Sequence, residues 1–219
     1  KQQQSWRYTT YLDYRLPNDG GVINTRLFYY DFEDDIGRID ISSSPAQLES
    51  MNGNVGDGRV VGLNVNASVR LAMVDLPQAL VTAGFLVQDS KIFDPLIDDN
   101  RKVVPFDRGG FNVGFRHDVS RWGLNYGVNY SDRIDGNRAF WDIDNIFYIG
   151  SMSNLMTFVE KSGWRGLTFR LEIINMRDHV QKNERRRYAS YFRDDVLNEI
   201  ERFYTTDGVR YTFKVRGTF

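Results

Sequence analysis

Residues 208–219 read GVRYTFKVRGTF. In a strand of period two, Val209, Tyr211, Phe213, Val215 and Phe219 fall on one side, and Arg210, Thr212, Lys214, Arg216 and Thr218 on the other. Terminal residues with nothing to pack against are ordinarily frayed and polar. A last stretch with one continuous apolar side reads instead as part of a wall.

Composition supports strands throughout. Aromatics make up 14% of the chain, with 15 Phe and 12 Tyr, beside 19 Gly and only 5 Pro, a balance that suits strands and turns over helices. At 219 residues and 41% hydrophobic content the chain can form one large or two small domains. No stretch approaches the roughly 18 uninterrupted apolar residues of a spanning helix, and mean hydropathy is negative, which excludes a helical membrane protein. A spanning strand needs only about 9 to 11 residues, alternately apolar and polar, so the same hydropathy is compatible with a barrel. The absence of cysteine removes a disulfide frame, a thiol nucleophile and a cysteine metal site. With 28 basic and 29 acidic residues the net charge is -1, which gives no general attraction to nucleic acid. The first residue is Lys1, with no start methionine or apolar leader, so the chain is expected to be a processed or excised piece.

Period-two reading gives about nine strands, at residues 6–16, 22–41, 59–74, 79–90, 110–118, 123–134, 152–161, 167–176 and 209–219. In the third, Val61, Leu63, Val65, Ala67, Val69 and Leu71 oppose Gly62, Asn64, Asn66, Ser68 and Arg70; in the fifth, Phe111, Val113 and Phe115 oppose Asn112, Gly114 and Arg116. In the sixth, Leu124, Tyr126, Val128 and Tyr130 oppose Asn125, Gly127 and Asn129; in the eighth, Leu167, Phe169, Leu171 and Ile173 oppose Thr168, Arg170 and Glu172. A soluble sandwich also has one apolar face per strand, so the connections discriminate better. They alternate in length: 17–21 short, 42–58 long, 75–78 short, 91–109 long, 119–122 short, 135–151 long, 162–166 short and 177–208 longest. With antiparallel neighbours, every short turn lies at one end and every long loop at the other, as in outer-membrane barrels.

Indole rings favour the lipid headgroup level. Trp122 and Trp164 fall by short turns, Trp6 and Trp141 toward the other end, and all four are candidate interfacial aromatics. The polar faces carry Gly, Asn, Ser, Thr and Arg in place of the Lys and Glu of a solvated sheet, which suits a lumen holding protein or ligand. Arg170, Glu172, Arg210, Lys214 and Arg216 are expected to form a charged ladder there.

Four stretches together resemble the C-terminal barrel half of a TonB-dependent outer-membrane receptor: residues 209–219, 166–178 (GLTFRLEIINMRD), 110–131 and 54–65. The first is similar to the family's final strand, which implies that Tyr211, Phe213, Val215 and Phe219 are the signal read by the barrel assembly machinery. In the second, Asn175, Met176 and Asp178 fill the places that end an upward strand of the family; in the fourth, the family's Gly, apolar, Glu becomes Gly62, Leu63, Asn64. The resemblance implies an antiparallel transmembrane β-barrel segment with short periplasmic turns and long extracellular loops. Residues 1–219 would form the C-terminal portion of a barrel of about 22 strands, with the plug domain and TonB-gripping segment upstream and not in this chain. It further implies outer-membrane localisation, contact with lipid and lipopolysaccharide, and import of a scarce nutrient of the siderophore, cobalamin or carbohydrate class, driven through the TonB system. Two other readings compete: a passive or small self-contained outer-membrane barrel, and a soluble all-β ligand-binding module. Taken alone, the segment is expected to be a curved, unclosed sheet with two edges.

The remaining motifs carry little chemistry. Asp31, Glu33, Asp34 and Asp35 read as solvated loop flanks rather than a ligand contact. Asp142, Asp144 and Asn145, with Asp132 and Asp135, offer oxygen ligands without calcium-loop spacing. Arg185, Arg186 and Arg187 suit either lipopolysaccharide phosphates or ion pairs with Asp194, Asp195 and Glu199. Val196, Leu197, Ile200 and Phe203 follow either a short helix after Asp194 and Asp195 or a strand extension. His117 and His179 lack a metal or general-base context, and the sequons at Asn66 and Asn129 lie mid-strand. No nucleophile elbow, phosphate loop or metal helix appears, so no catalytic, cofactor or metal residue is expected.

Overall fold

The computed structural model describes residues 1–103, 108–134 and 138–217, apart from the side chain of Trp164. Asp135, Thr218 and Phe219 therefore lie outside the described residues, as does the side chain of Trp164. The strands are β1 (Gln4–Leu16), β2 (Gly21–Asp40), β3 (Ser50–Leu71), β4 (Leu76–Asp94), β5 (Asp99–Arg101), β6 (Gly109–Val119), β7 (Leu124–Arg133), β8 (Arg138–Trp141), β9 (Asn145–Ile149), β10 (Asn154–Trp164), β11 (Leu167–Ile174), β12 (Gln181–Tyr188), β13 (Leu197–Thr205) and β14 (Arg210–Gly217). The fold is all-β. Helical structure among the described residues is limited to three-residue 3-10 turns.

The main sheet runs β1-β2-β3-β4-β6-β7-β10-β11-β14, with β5 added beside the end of β4. Nine antiparallel neighbours in sequence order place all four short turns at one end. Three of these turns are single 3-10 turns, at Pro17–Asp19, Ala72–Val74 and Ser120–Trp122. Asp75 and Gly123 close the second and third in the left-handed region, at φ 61° and 56°, which short polar side chains and glycine tolerate. Among the described residues β1 pairs only with β2 and β14 only with β11, which leaves the described sheet unclosed.

The two faces are inverted relative to a soluble protein. Tyr126, Val159, Leu171 and Phe213 stand side by side across β7, β10, β11 and β14 and are 38–66% exposed. One residue along, the row is Gly127, Phe158, Glu172 and Thr212, and Glu172 is 8% exposed. A carboxylate is covered while the phenylalanine of the neighbouring strand stands bare, the reverse of what water selects.

Two departures from the sequence reading have physical causes. The connection expected at 42–58 is mostly strand, because β2 and β3 continue as a long hairpin in which Gly37 pairs with Gly53 and only residues 41–49 turn. Its glycines mark close packing and a bulge: a Cβ at Gly53 would meet the Ile39 side chain at 2.3 Å, and the register shifts around Asp35 and Gly56. The loops at 135–151 and 177–208 build a second sheet, in the order β13-β12-β9-β8. Within it residues 197–205 take the strand alternative of the two readings: Ile200 lies opposite Arg186 and Phe203 opposite Asn183. Asp194 and Asp195 end a 3-10 turn at Phe192–Asp194 and cap no helix.

The polar face also has an apolar end that the sequence reading left out. Phe28, Phe32, Val55, Val60, Ile92 and Val103 form a buried cluster, flanked by Tyr30, Ile39 and Leu86. Phe28, Gly62 and Gln88 lie opposite one another on β2, β3 and β4, so the cluster grows from the polar side toward the long loops. Val103 folds over it and donates its N–H to Ser90 Oγ at 3.1 Å.

Candidate functional site

The polar face is a lined surface. Asn24, Asn66, Gly84, Asn112, Ser131 and Asn154 follow one another across six strands. Gly84 makes room for its neighbours' amides, since a Cβ there would stand 2.1 Å from Asn112 Oδ1. Asn24 Nδ2 donates to Asp13 Oδ1 at 2.7 Å, and Asn66 Nδ2 to Asn64 Oδ1 at 2.7 Å. The sequons thus lie within β3 and β7.

Toward the short turns this face carries charge. Glu160 on β10 lies opposite Arg170 on β11, and Arg170 opposite Lys214 on β14. Arg170 Nε donates to Glu172 Oε1 at 2.6 Å, Arg170 Nη1 reaches Glu160 Oε2 at 3.4 Å, and Lys214 Nζ donates to Glu172 Oε2 at 2.8 Å. Asn125 Nδ2 extends the chain to Glu160 Oε1 at 3.2 Å. The Arg170 guanidinium lies 3.9 Å from the Phe158 ring centre, within cation–π range. Three of the five ladder residues named from sequence are therefore brought together. Arg210 and Arg216 share the face without an ion-pair partner among the described residues, and Arg210 borders a pocket of about 190 Å³ with His179 and Asp207.

Glu160 belongs to the network, and the sequence reading did not single it out. On β10 both sides mix apolar and charged residues, Met156 and Phe158 with Glu160, Val159 with Lys161, so alternation alone does not orient the strand.

At the long-loop end a second constellation joins separate loops. Arg38 and Ser50, paired arms of the β2–β3 hairpin, both reach Asp142 in the β8–β9 turn. Arg38 Nε lies 3.2 Å from Asp142 Oδ2, Ser50 Oγ donates to Asp142 Oδ1 at 2.6 Å, and Arg38 Nη2 donates to Ser50 Oγ at 2.7 Å. Burial pushes the Asp142 carboxyl up, but the Ser50 hydroxyl, the Ile143 N–H and Arg38 outweigh it, and the group sits below the ordinary aspartate value. Beneath this latch, Arg101 pairs with Asp94, both almost fully buried, and its guanidinium lies 5.3 Å from the Trp141 ring centre. Burial raises Asp35 nearby, against the Ile36 N–H and the charge of Arg101. A pocket of about 320 Å³ opens between these groups, lined by Asp35, Arg38, Arg101, Trp141, Asp142 and Phe147.

Other residues named from sequence are placed as follows. Trp6 and Trp122 are 60% and 62% exposed, whereas Trp141 is half-buried in β8 under Arg101. Tyr211, Phe213 and Val215 are exposed on the apolar face. Asp35 is not a solvated flank, being buried and accepting from Gln3, whereas Asp34 is partly exposed, with Lys1 Nζ approaching it at 3.6 Å. Asp132, Asp142 and Asp144 bond separately, to Tyr130, Arg38 and Asn145. Arg187 pairs with Glu199 at 4.0 Å, as expected, but also with Glu201 at 3.1 Å. Arg185 faces Glu201 at 3.8 Å and Arg186 takes Glu184 at 2.8 Å; Asp194 instead accepts from Ser190. His117 Nδ1 lies 3.0 Å from Tyr126 Oη, and His179 Nδ1 2.9 Å from Ser153 Oγ.

No family model matches the sequence, and no curated protein does. Among solved structures, the chain is similar to the closed form of the ferric-catecholate import receptor Fiu from Escherichia coli K12, with a TM-score of 0.61 and 13% sequence identity. The match covers 98% of this chain and 27% of that one. At this identity the likeness is one of fold: the antiparallel sheet described above matches part of an import receptor's barrel.

Proposed function

We propose that residues 1–219 are the C-terminal portion of the β-barrel of a TonB-dependent outer-membrane receptor, which imports a scarce nutrient of the siderophore, cobalamin or carbohydrate class. The observation that carries this reading is the inverted sheet. Tyr126, Val159, Leu171 and Phe213 face outward bare and need hydrocarbon to be stable there, while the amide row and the Glu160-Arg170-Glu172-Lys214 network face a lumen. The sorted turns support a short-turn end in the periplasm and a long-loop end outside the cell. The ferric-catecholate receptor with which the fold is shared favours the siderophore class.

In this role the chain supplies wall and mouth. The polar wall offers fixed donors and charges against which a plug domain docks, and the joined loops roof the inner face. TonB, acting on the plug, drives release of ligand into the periplasm, and the barrel assembly machinery recognises the last strand through Tyr211, Phe213, Val215 and Phe219. The rival reading of a small self-contained barrel needs β1 to pair with β14, and among the described residues each pairs on one side alone.

The test is nutrient-limited growth of cells carrying the intact receptor. Growth that requires both this receptor and TonB supports the proposal. Receptor-dependent growth that persists without TonB favours a passive barrel, and recovery of the protein in the soluble fraction contradicts both.

A further inference from the structure

The loop sheet has two unlike faces. On one, Arg185 lies 5.0 and 6.0 Å from the ring centres of Phe147 and Phe203, and Arg187 is held by Glu201 at 3.1 Å; its cations are already stacked or paired. The other face lines a pocket of about 490 Å³ with Tyr148, Lys182, Glu184, Arg186, Arg202 and Tyr204; Arg186 stacks here too, 5.2 Å from the Tyr148 ring centre, but the cations outnumber their carboxylate. Among the described residues lining it Glu184 is the single carboxylate, and it is shared. Its Oε1 accepts from Arg186 Nε at 2.8 Å and its Oε2 from Arg202 Nε at 3.1 Å. Hydrogen bonds from Arg186 and then Arg202 hold Glu184 below the ordinary carboxylate range, so it is ionised at neutral pH. Lys182 has no ion-pair partner among the described residues, and neither tyrosine hydroxyl has a hydrogen-bond partner there.

Three cations around one carboxylate leave an excess of two positive charges. A monoanionic carboxylate ligand would neutralise half of it, whereas a phosphate monoester carries about -1.5 to -2 at pH 7. Guanidinium groups match phosphate oxygens in pairs, and an ammonium adds a point charge. The pairing register sets Glu184 opposite both Tyr148 and Arg202, and Lys182 opposite Tyr204, so cationic and phenolic donors alternate around one centre.

We propose that this pocket binds a phosphate-bearing ligand, one phosphate group being held by Lys182, Arg186 and Arg202, with the Tyr148 and Tyr204 hydroxyls as further donors. The site is independent of the transport reading, because it rests on the loop sheet alone. The phosphate is carried either by lipopolysaccharide of the surrounding leaflet or by a free phosphorylated solute.

The experiment titrates the full-length receptor in detergent with inorganic phosphate, acetate, lipopolysaccharide and dephosphorylated lipopolysaccharide, following heat of binding. Phosphate should saturate and acetate should bind at least tenfold more weakly. The double variant Lys182→Met/Arg202→Gln should lose phosphate binding at least tenfold. Glu184→Gln, which removes the competing carboxylate, should bind phosphate more tightly, and this arm stands even if the double variant misfolds. Preference for intact over dephosphorylated lipopolysaccharide identifies the lipid source, and phosphate binding without that preference identifies the solute. Equal binding of acetate and phosphate, undiminished binding by a folded double variant, or weaker binding by Glu184→Gln overturns the proposal.

Discussion

Glu172 sits at 8% exposure between Arg170 and Lys214, on a face that a lumen reading makes sense of and a soluble sandwich does not. Replacing it by Ala leaves Lys214 unpaired and Arg170 with Glu160 alone, at 3.4 Å. The expected loss is about 1 to 2 kcal/mol, read as a smaller heat-modifiable fraction on a gel or a lower unfolding midpoint; an unchanged protein contradicts a structural role for the network. Arg170, Glu172 and Lys214 were legible in the sequence because each strand alternates cleanly and the strands are neighbours. Glu160 was not, because β10 mixes both characters on both sides. Asp142 gives a second prediction at this scale. Its carboxyl lies below the ordinary aspartate value, so the latch to Arg38 and Ser50 is fully present above that value of about 3.9 and fails only as pH falls through the lower folded value. Spin labels at Ala46 and Ala189, both exposed, should hold one separation at pH 7 and pH 5 and broaden below about pH 4. Broadening already between pH 7 and pH 5 would mean that Asp142 does not control it.

At the scale of the strand, one residue of displacement moves a side chain from the apolar to the polar face. Val128 of β7 is 41% exposed on the apolar face, while Asn129 lies opposite Gly114 on the polar one. Val128→Arg should cost about 2 to 4 kcal/mol near the bilayer midplane, measured by denaturant unfolding in lipid. Asn129→Arg, with space from Gly114, should cost far less, and equal costs would mean that the two faces see the same solvent. The nine strands of the main sheet were readable because each carries period-two alternation that the antiparallel ladder sorts into one apolar and one polar face. The loop strands were not. Residues 196–203 place apolar side chains at spacings that fit a helix, and only the partner strand β12, which exchanges ladder bonds along its length with β13, decides for strand. The Gly-rich run through Gly53, Gly56 and Gly58 read as loop for a similar reason: its glycines answer to neighbours on other segments, Ile39 across the hairpin and Val103 after β5, which local sequence does not announce. The site at the mouth was illegible on the same ground, since Arg38 and Asp142 stand 104 residues apart.

For the molecule as a whole, the covered and bare surfaces define the environment it needs. The buried cluster around Val60 and Ile92 lies at the long-loop end, and among the described residues the rest of the main sheet forms no comparable buried apolar cluster. Stability there depends on the antiparallel ladder and on what touches the outer face. That makes side-chain orientation in the membrane the central claim, and the absence of native cysteine makes it directly measurable. Single cysteines at Phe115, Val128 and Phe213, and at Asn112, Asn129 and Thr212, would carry a fluorophore in the full-length protein reconstituted into bilayers. Quenching by bromine-labelled acyl chains at the first three, and by aqueous iodide alone at the other three, is the predicted result; iodide quenching of both sets, or lipid quenching of the second, would contradict the account.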